Sequence, residues 1–241
     1  MPPTARCSGC RWREEGSRAG KGLVRVTSLS TPRPDADSGT VAAAVEELRA
    51  GRPVIVVDDA DREDEGDLVL AAQFATTEAL AFFVRFTSGL ICAPLAPEIA
   101  DRLELPLMVP AACGVDATAY TVSVDAVGTG SGISATDRAL TARTLADPAC
   151  PPSRLRRPGH LFPLRARRGG IAERRGHTEA TVHLLRLAGL SPVGIISEVC
   201  DDDGSPARAE GLRSFAGEHG LVLVSIEQLA RRPRPAGTAT P

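Results

Sequence analysis

Several residue types are scarce in this chain of 241 residues, and each scarcity excludes a class of protein. Aromatic residues make up 3% of the sequence, too few for a surface that recognises nucleic acid by stacking on its bases. No apolar run approaches the ~20 residues of a membrane-spanning helix, and residues 1–20 lack the apolar core of a secretory signal. The 28 basic and 30 acidic residues nearly balance, so no excess charge attracts nucleic acid or an anionic membrane. We therefore expect a cytoplasmic protein that binds neither.

Cysteine is also sparse, with six residues in the chain. That number is too low for the small folds that disulfides hold together. Cys7 and Cys10 form a single CxxC motif, without the second cysteine pair or the histidine pair that completes a zinc site. We interpret the cysteines as reduced thiols. Hydrophobic residues, by contrast, make up 43% of the sequence, which is enough for a buried core.

Composition divides the chain into three parts. Residues 1–37 are rich in Gly, Arg, Ser and Pro and indicate a disordered extension or a mis-assigned start codon. Residues 38–231 form the expected domain, and the Pro-rich residues 232–241 a flexible tail. Periodicity and capping residues predict helices over 38–51, 77–86, 97–103, 136–145 and 177–188, strands over 53–57, 68–72, 90–93, 118–124, 161–164 and 193–199, a loop over 147–160, and a last helix opened by a capping box at 225–228. This mixture without regular alternation indicates an α/β or α+β fold with one core.

An acidic segment, residues 58–67, follows the first predicted strand, and seven of its ten residues are acidic. Carboxylates this close together raise one another's pKa values unless a cation joins them, and their oxygens suit Mg²⁺. Arg62 in the middle offers a bidentate grip on a phosphate or carboxylate. The alternative is a solvated acidic turn, which the strand-end position, Arg62 and the Gly66 kink make less favourable. An EF-hand is rejected because Ala72 stands where the twelfth position needs Glu.

A second segment places three candidate residues at the start of a predicted helix. Gly176, His177 and Thr178 would offer free N–H groups and a hydroxyl to a phosphate, and Arg174 adds positive charge. His177 can also present a neutral imidazole to a divalent metal. The alternative is a helix cap or a surface histidine.

Three further residues are candidates by position. Pro158 and Gly159 predict a tight turn that presents His160 as a general acid or base. Glu198 ends an apolar strand, where it could act as a base, although an edge-exposed glutamate is the commoner explanation. Cys92 lies in an apolar strand, where a cysteine usually belongs to the core.

Together these segments resemble the 3,4-dihydroxy-2-butanone 4-phosphate synthase family of riboflavin biosynthesis. The resemblance covers residues 40–230 and rests on motifs that occur in the same order, at 54–67, 87–92, 118–125, 132–138, 157–160, 174–179 and 198. It implies a single-domain α+β fold with a mixed sheet and surrounding helices. It also implies a lyase that converts D-ribulose 5-phosphate to L-3,4-dihydroxy-2-butanone 4-phosphate and formate. The family uses Mg²⁺ or Mn²⁺ and forms homodimers with sites at the subunit interface.

The resemblance also implies roles for individual residues. The implied metal ligands are Glu63 and His177. The proton-transfer pair is His160 and Glu198, and Cys92 falls on a further catalytic position. The implied substrate contacts are Arg62, Glu63, Asp67, Arg174, Arg175, Gly176, His177, Thr178 and Glu198. Asp58 and Glu65 fall on active-site positions without an assigned role.

The chain departs from the family at two positions and at its ends. Asp116 stands where the family often has histidine, and Arg175 replaces a usually small residue. Both are candidate selectors if the chain acts on another ketose phosphate, and an inactive sugar-phosphate-binding relative is the other alternative. The N-terminal residues have no counterpart in the family. Because no GTP cyclohydrolase II-like domain follows, we expect a monofunctional chain.

Overall fold

The computed structural model describes residues 40–59, 62–109 and 117–231. The expected extension over 1–37, the tail over 232–241 and Asp116 lie outside the described residues. In the part of the chain that is described, no helix combines the length and apolar character needed to cross a membrane.

Seven strands form one mixed sheet in the order β4-β5-β3-β6-β2-β1-β7. The pairs β1–β7 and β3–β5 are parallel, whereas β1–β2, β2–β6, β3–β6 and β4–β5 are antiparallel. The strands are β1 (Val54–Val57), β2 (Gly66–Ala71), β3 (Cys92–Leu95), β4 (Val124–Ala126), β5 (Leu155–Arg165), β6 (Gly194–Glu198) and β7 (Leu223–Ser225). The helices are α1 (Val41–Arg49), α2 (Thr77–Phe86), α3 (Pro97–Arg102), α4 (Ala135–Ala146), α5 (His177–Leu187), α6 (Ala209–His219) and α7 (Ile226–Ala230). The predicted α+β fold with a mixed sheet is confirmed.

Alternation along the strands builds a core on each face of the sheet. In β1, Ile55 faces a cluster formed with α2, α4 and α6, whereas Val54 and Val56 face a cluster formed with α1, α5 and α7. Successive strand side chains point to opposite faces, so both faces of a continuous apolar strand are buried. The second face, beneath α5, carries the site described below.

Local capping signals place several helix starts where the sequence predicts them. Thr76 accepts a hydrogen bond from the backbone N–H of Ala79, and Ser225 and Gln228 form the predicted capping box. These hydroxyl groups satisfy donors of the first turn that have no partner within the helix. Such signals succeed because they involve residues only three apart.

Two predictions about the chain between 118 and 165 are wrong. The predicted loop over 147–160 ends early, because Leu155–Arg165 form a single strand, β5. Leu161 and Arg156 of β5 pair with neighbouring residues of β4, so the residues between them are unpaired. Pro158 lies in this unpaired part, where the ladder needs no N–H donor. The predicted strand over 118–124 is reduced to isolated bridges at Tyr120 and Thr121, and β4 begins at Val124.

Candidate active site

A cavity of about 320 Å³ opens where β1 ends, β2 and α5 begin, and β6 ends. Eight sequence-predicted residues line it, namely Arg62, Glu63, Asp67, Cys92, Arg174, His177, Thr178 and Glu198. Glu65, which the resemblance also marked, is among the lining residues. His160, Arg175 and Gly176 are not. One space therefore collects most of the predicted machinery, and His160 is the main candidate outside it.

The register of β2 against β6 brings two acidic residues face to face. Asp67 pairs directly with Glu198 across the antiparallel ladder, and side chains of such a pair lie on the same face, close together. Burial raises the pKa of Asp67 to about 6; His177 opposes the shift, and Glu198 adds to it. Among the described residues, the buried Oδ1 atom of Asp67 has no hydrogen-bond partner. The cavity wall thus contains a buried carboxylate whose Oδ1 atom is available to accept a hydrogen bond from a ligand.

Asp58 is buried and accepts hydrogen bonds from three other residues of the acidic segment. Its carboxylate accepts hydrogen bonds from the Arg62 guanidinium at 2.7 Å and from the backbone N–H groups of Glu63 and Glu65 at 3.2 and 2.9 Å. Arg62 also grips both carboxylate oxygens of Glu63, at 2.8 and 3.0 Å. These contacts offset the repulsion among the acidic groups and hold Glu63 and Glu65 against Asp58.

Arg208, at the start of α6, holds the same loop from outside. Its guanidinium donates to the backbone carbonyl of Glu63 and, at 3.0 Å, to that of Asp64, and it lies 3.8 Å from the Glu65 carboxylate. Arg208 could not be recognised from the sequence, because it lies more than 140 residues from these partners. No local pattern marks such a contact.

The N-terminus of α5 forms another wall of the cavity. Arg174 is buried, donates at 2.8 Å to Glu179 and at 3.0 Å to the hydroxyl of Thr118. A Cβ atom on Gly176 would lie 2.0 Å from the Arg174 guanidinium, so glycine is required for this close approach. Arg175 does not line the cavity and donates a hydrogen bond at 3.2 Å to Asp59.

Cys92 and Tyr120 form a hydrogen-bonded pair in the cavity wall. Burial raises the pKa of the Cys92 thiol to about 12, although the hydrogen bond from Tyr120 opposes the shift. The thiol is therefore protonated at neutral pH and is not a ready nucleophile. Tyr120, Thr118 and Ser197 line the cavity but were not assigned roles from the sequence. The matching motif that contains Thr118 and Tyr120 was the only available signal for those two.

The donor atoms in the cavity fit a hard divalent cation. Ligand atoms of Asp58, Glu63 and His177 all lie within 4.8 Å of one another. The Nε2 atom of His177 is buried and has no hydrogen-bond partner among the described residues. A buried polar atom without a partner is costly, and one imidazole nitrogen with carboxylate oxygens is a donor set that Mg²⁺ and Mn²⁺ accept. Because Asp58 already accepts three hydrogen bonds, Glu63 and His177 have the more available donor atoms.

Comparison with known proteins gives consistent matches. The family model described as 3,4-dihydroxy-2-butanone 4-phosphate synthase matches residues 42–232. The chain is 55% identical over 192 residues to riboflavin biosynthesis protein RibBA of Salinispora arenicola (strain CNS-205), covering 79% of the chain and 46% of that protein. It is 51% identical over 214 residues to monofunctional riboflavin biosynthesis protein RIBA 2, chloroplastic, of Arabidopsis thaliana, covering 88% and 45%. The chain spans about half the length of these curated relatives.

Solved structures match as well. The crystal structure of a 3,4-dihydroxy-2-butanone 4-phosphate synthase in complex with two magnesium ions superposes with a TM-score of 0.76 and 48% identity, covering 79% of this chain and 94% of that one. A cation-free form of an enzyme of the same name gives a TM-score of 0.75 and 47% identity, covering 80% and 96%.

Proposed function

The chain belongs to the 3,4-dihydroxy-2-butanone 4-phosphate synthase family, and from this premise we propose that it is the lyase that converts D-ribulose 5-phosphate to L-3,4-dihydroxy-2-butanone 4-phosphate and formate in riboflavin biosynthesis. One observation carries the proposal. A single cavity contains the Glu63–His177 pair, the buried N-terminus of α5 and the facing carboxylates of Asp67 and Glu198. These are the groups needed to hold a phosphorylated ketose and move its protons.

Glu63 and His177 are the proposed ligands of Mg²⁺ or Mn²⁺. Their support is the short separation of their donor atoms and the partnerless Nε2 of His177 among the described residues, together with a related structure that holds two magnesium ions. A bound cation stabilises negative charge that develops on substrate oxygens during enolisation. Asp58 and Arg62 keep the Glu63 carboxylate in place through the hydrogen bonds described above.

The substrate phosphate is proposed to bind at the start of α5. Free backbone N–H groups and the positive end of the helix dipole favour an anion there, and Thr178 and Arg174 line the cavity beside them. Gly176 leaves the space that Arg174 occupies. Arg175 is paired with Asp59, so its contribution to the phosphate site is through charge at a distance rather than contact.

Glu198 and His160 are the proposed proton-transfer residues, and Asp67 contacts the substrate beside Glu198. Because His160 does not line the cavity of its own chain, we propose a homodimer in which the second copy supplies it. Large exposed apolar side chains support such an interface: they include Leu90, Met108, Val109, Val127 and Ile133. Leu90 also lines the cavity, which supports an interface close to the site. We further propose a cytoplasmic enzyme with no nucleic-acid or membrane partner.

Formate release tests the proposal directly. Purified protein is incubated with D-ribulose 5-phosphate and Mg²⁺, and again with EDTA, and products are identified by NMR. We expect equal amounts of formate and a four-carbon phosphate, only with metal. The Glu63→Gln variant is expected to be inactive, while Glu46→Gln, an exposed control on α1, stays active. Folded protein that releases no formate with metal present would overturn the proposal, and turnover of another ketose phosphate would identify the alternative.

A further inference from the structure

Asp125 accepts two hydrogen bonds from a single residue, His160. The buried carboxylate of Asp125 takes the backbone N–H of His160 on Oδ1 at 2.9 Å, and its Oδ2 lies 2.9 Å from the ring atom Nδ1. An ionised carboxylate only accepts hydrogen bonds. Nδ1 must therefore carry the proton, and the lone pair of a neutral ring is on Nε2.

The chain path around Asp125 is built to make this contact. In the β4–β5 ladder, Val124 pairs with Leu161 and the next residue, Asp125, pairs with Arg156. Residues 157–160 of β5 therefore have no partner on β4 and form a bulge. Gly159 in this bulge lies against Val124, where a Cβ atom would be 2.0 Å from the carbonyl carbon. The bulge thus turns the backbone N–H of His160 toward a side chain rather than toward the neighbouring strand.

Gly132 covers the Asp125–His160 pair. A Cβ atom there would lie 2.1 Å from Oδ2 of Asp125 and 2.6 Å from Nδ1 of His160, and the residue has a φ of +95°. The Asp137 carboxylate holds the backbone N–H groups of Gly130 and Gly132 at 3.2 and 3.1 Å. The glycine-rich segment 128–132 therefore closes over the contact between Asp125 and His160.

We propose that Asp125 is a positioning residue that holds His160 in the tautomer protonated at Nδ1, so that Nε2 is the atom that takes and returns protons. No described residue hydrogen-bonds Nε2, and the His160 side chain is 42% exposed. The expected effect on turnover rests on the proposed function of His160. The tautomer of the ring depends only on its contact with Asp125.

The substitution Asp125→Asn separates positioning from mere packing. An amide has nearly the same shape, but only its oxygen accepts a hydrogen bond. The backbone N–H of His160 cannot give up its proton, so the amide oxygen is expected to stay there. The amide NH₂ then faces Nδ1, which must become an acceptor, and the ring proton moves to Nε2.

The test is ¹⁵N NMR of histidine-labelled protein, since long-range proton–nitrogen correlations distinguish the two tautomers of a neutral ring. The chain has four histidines, and His160→Gln identifies the signal. We expect the Nδ1–H tautomer in the wild type and the Nε2–H tautomer in Asp125→Asn. The matched control is Asp203→Asn, because Asp203 also accepts two hydrogen bonds from one residue, Ser205, on an exposed turn. This control should leave the His160 signal unchanged.

Kinetics supply the second readout. We expect Asp125→Asn to lower kcat by about 100-fold or more, the contribution of a general acid or base, with KM changed less than about two-fold. A wild-type ring protonated at Nε2 overturns the proposal even if no variant folds. An altered tautomer with unchanged kcat overturns the kinetic role of the pair. If the wild type releases no formate, the proposed function fails, while the tautomer result still decides whether Asp125 positions His160.

Discussion

Two regions of the molecule hold candidate catalytic residues, and both hold them firmly, yet only one is part of the cavity. The acidic loop, described at residues 58, 59 and 62–67, is held by hydrogen bonds of Asp58, Arg62 and Arg208 and opens directly on the cavity. His160 is fastened by Asp125 and covered by Gly132 on the β4–β5 side of the sheet, and it does not line that cavity. A histidine that its own chain holds in place outside the cavity fits the proposed site shared between two identical chains. The comparison teaches that preorganisation and completeness are separate properties of a site.

The largest effect is expected at the metal ligands of the acidic-loop region. Glu63→Gln and His177→Ala should each lower formate release by more than about 1,000-fold. Each variant loses a ligand of the cation that stabilises the negative charge developing on the substrate. The melting temperature should change little because both residues lie at the cavity rather than in either core. Mn²⁺ binding, followed by electron paramagnetic resonance, should weaken in parallel. Near wild-type turnover in either variant would show that the ligands are wrongly assigned.

Mixing two inactive variants tests whether the regions meet across a dimer. Chains with Glu63→Gln and chains with His160→Gln are unfolded together and refolded in equal amounts. If His160 acts in the partner's cavity, each mixed dimer has one intact site, and about a quarter of the wild-type activity returns. If both residues act within one chain, no activity returns. Each variant refolded alone is the control.

Substitution of Arg208 tests how far a contact from outside the acidic loop positions the metal ligand Glu63. Arg208→Ala removes the bonds to the carbonyls of Glu63 and Asp64, so we expect the Mg²⁺ concentration for half-maximal activity to rise about 10-fold, as for other groups that orient metal ligands. Arg213→Ala, an exposed arginine on the same helix, should have no effect. Equal metal requirements in the two variants would mean that the loop holds itself.

Cys92 is expected to matter less than its place in the cavity suggests. With a pKa of about 12, the thiol stays protonated at working pH and loses its proton only in strong alkali. Cys92→Ser keeps a small hydrogen-bonding group beside Tyr120, so we expect activity within about 10-fold of wild type, because no thiolate is removed. Cys150→Ser, buried outside the cavity, serves as the comparison. Complete loss in Cys92→Ser alone would indicate a covalent role.

The smallest effect is expected at the N-terminus. The described part of the chain begins at Thr40, the cap of α1, and the residues that form both regions all follow it. We expect deletion of residues 1–36 to leave kcat and KM within about two-fold of the full chain, the small effect typical of changes away from a core or a site. A large loss of activity would show that the N-terminal residues are needed in addition to the two regions.

Much of the local structure could be predicted because its causes are local. Caps at Thr76 and Ser225 and the apolar runs of β1 and β6 involve residues a few positions apart, and the structure has them. The strand through Pro158 could not be predicted, since its pairing depends on β3 and β4. Arg208 was missed for the same reason, because nothing near it in the sequence marks the residues that it contacts. Tyr120 and Ser197 lie beside marked positions, but only the folded chain shows that they line the cavity.

The sequence by itself determined which chemistry is available: a dense set of carboxylates around Arg62, a glycine–histidine–threonine helix start, and a histidine after Pro158 and Gly159. Composition and short-range pattern are enough for that, because charge and capping are properties of neighbouring residues. Only the tertiary structure decided that Asp67 faces Glu198, that Asp125 holds His160, and that His160 lies outside the cavity of its own chain. Strand register and the β4–β5 bulge make those choices, and both arise from hydrogen bonds between segments far apart in the chain.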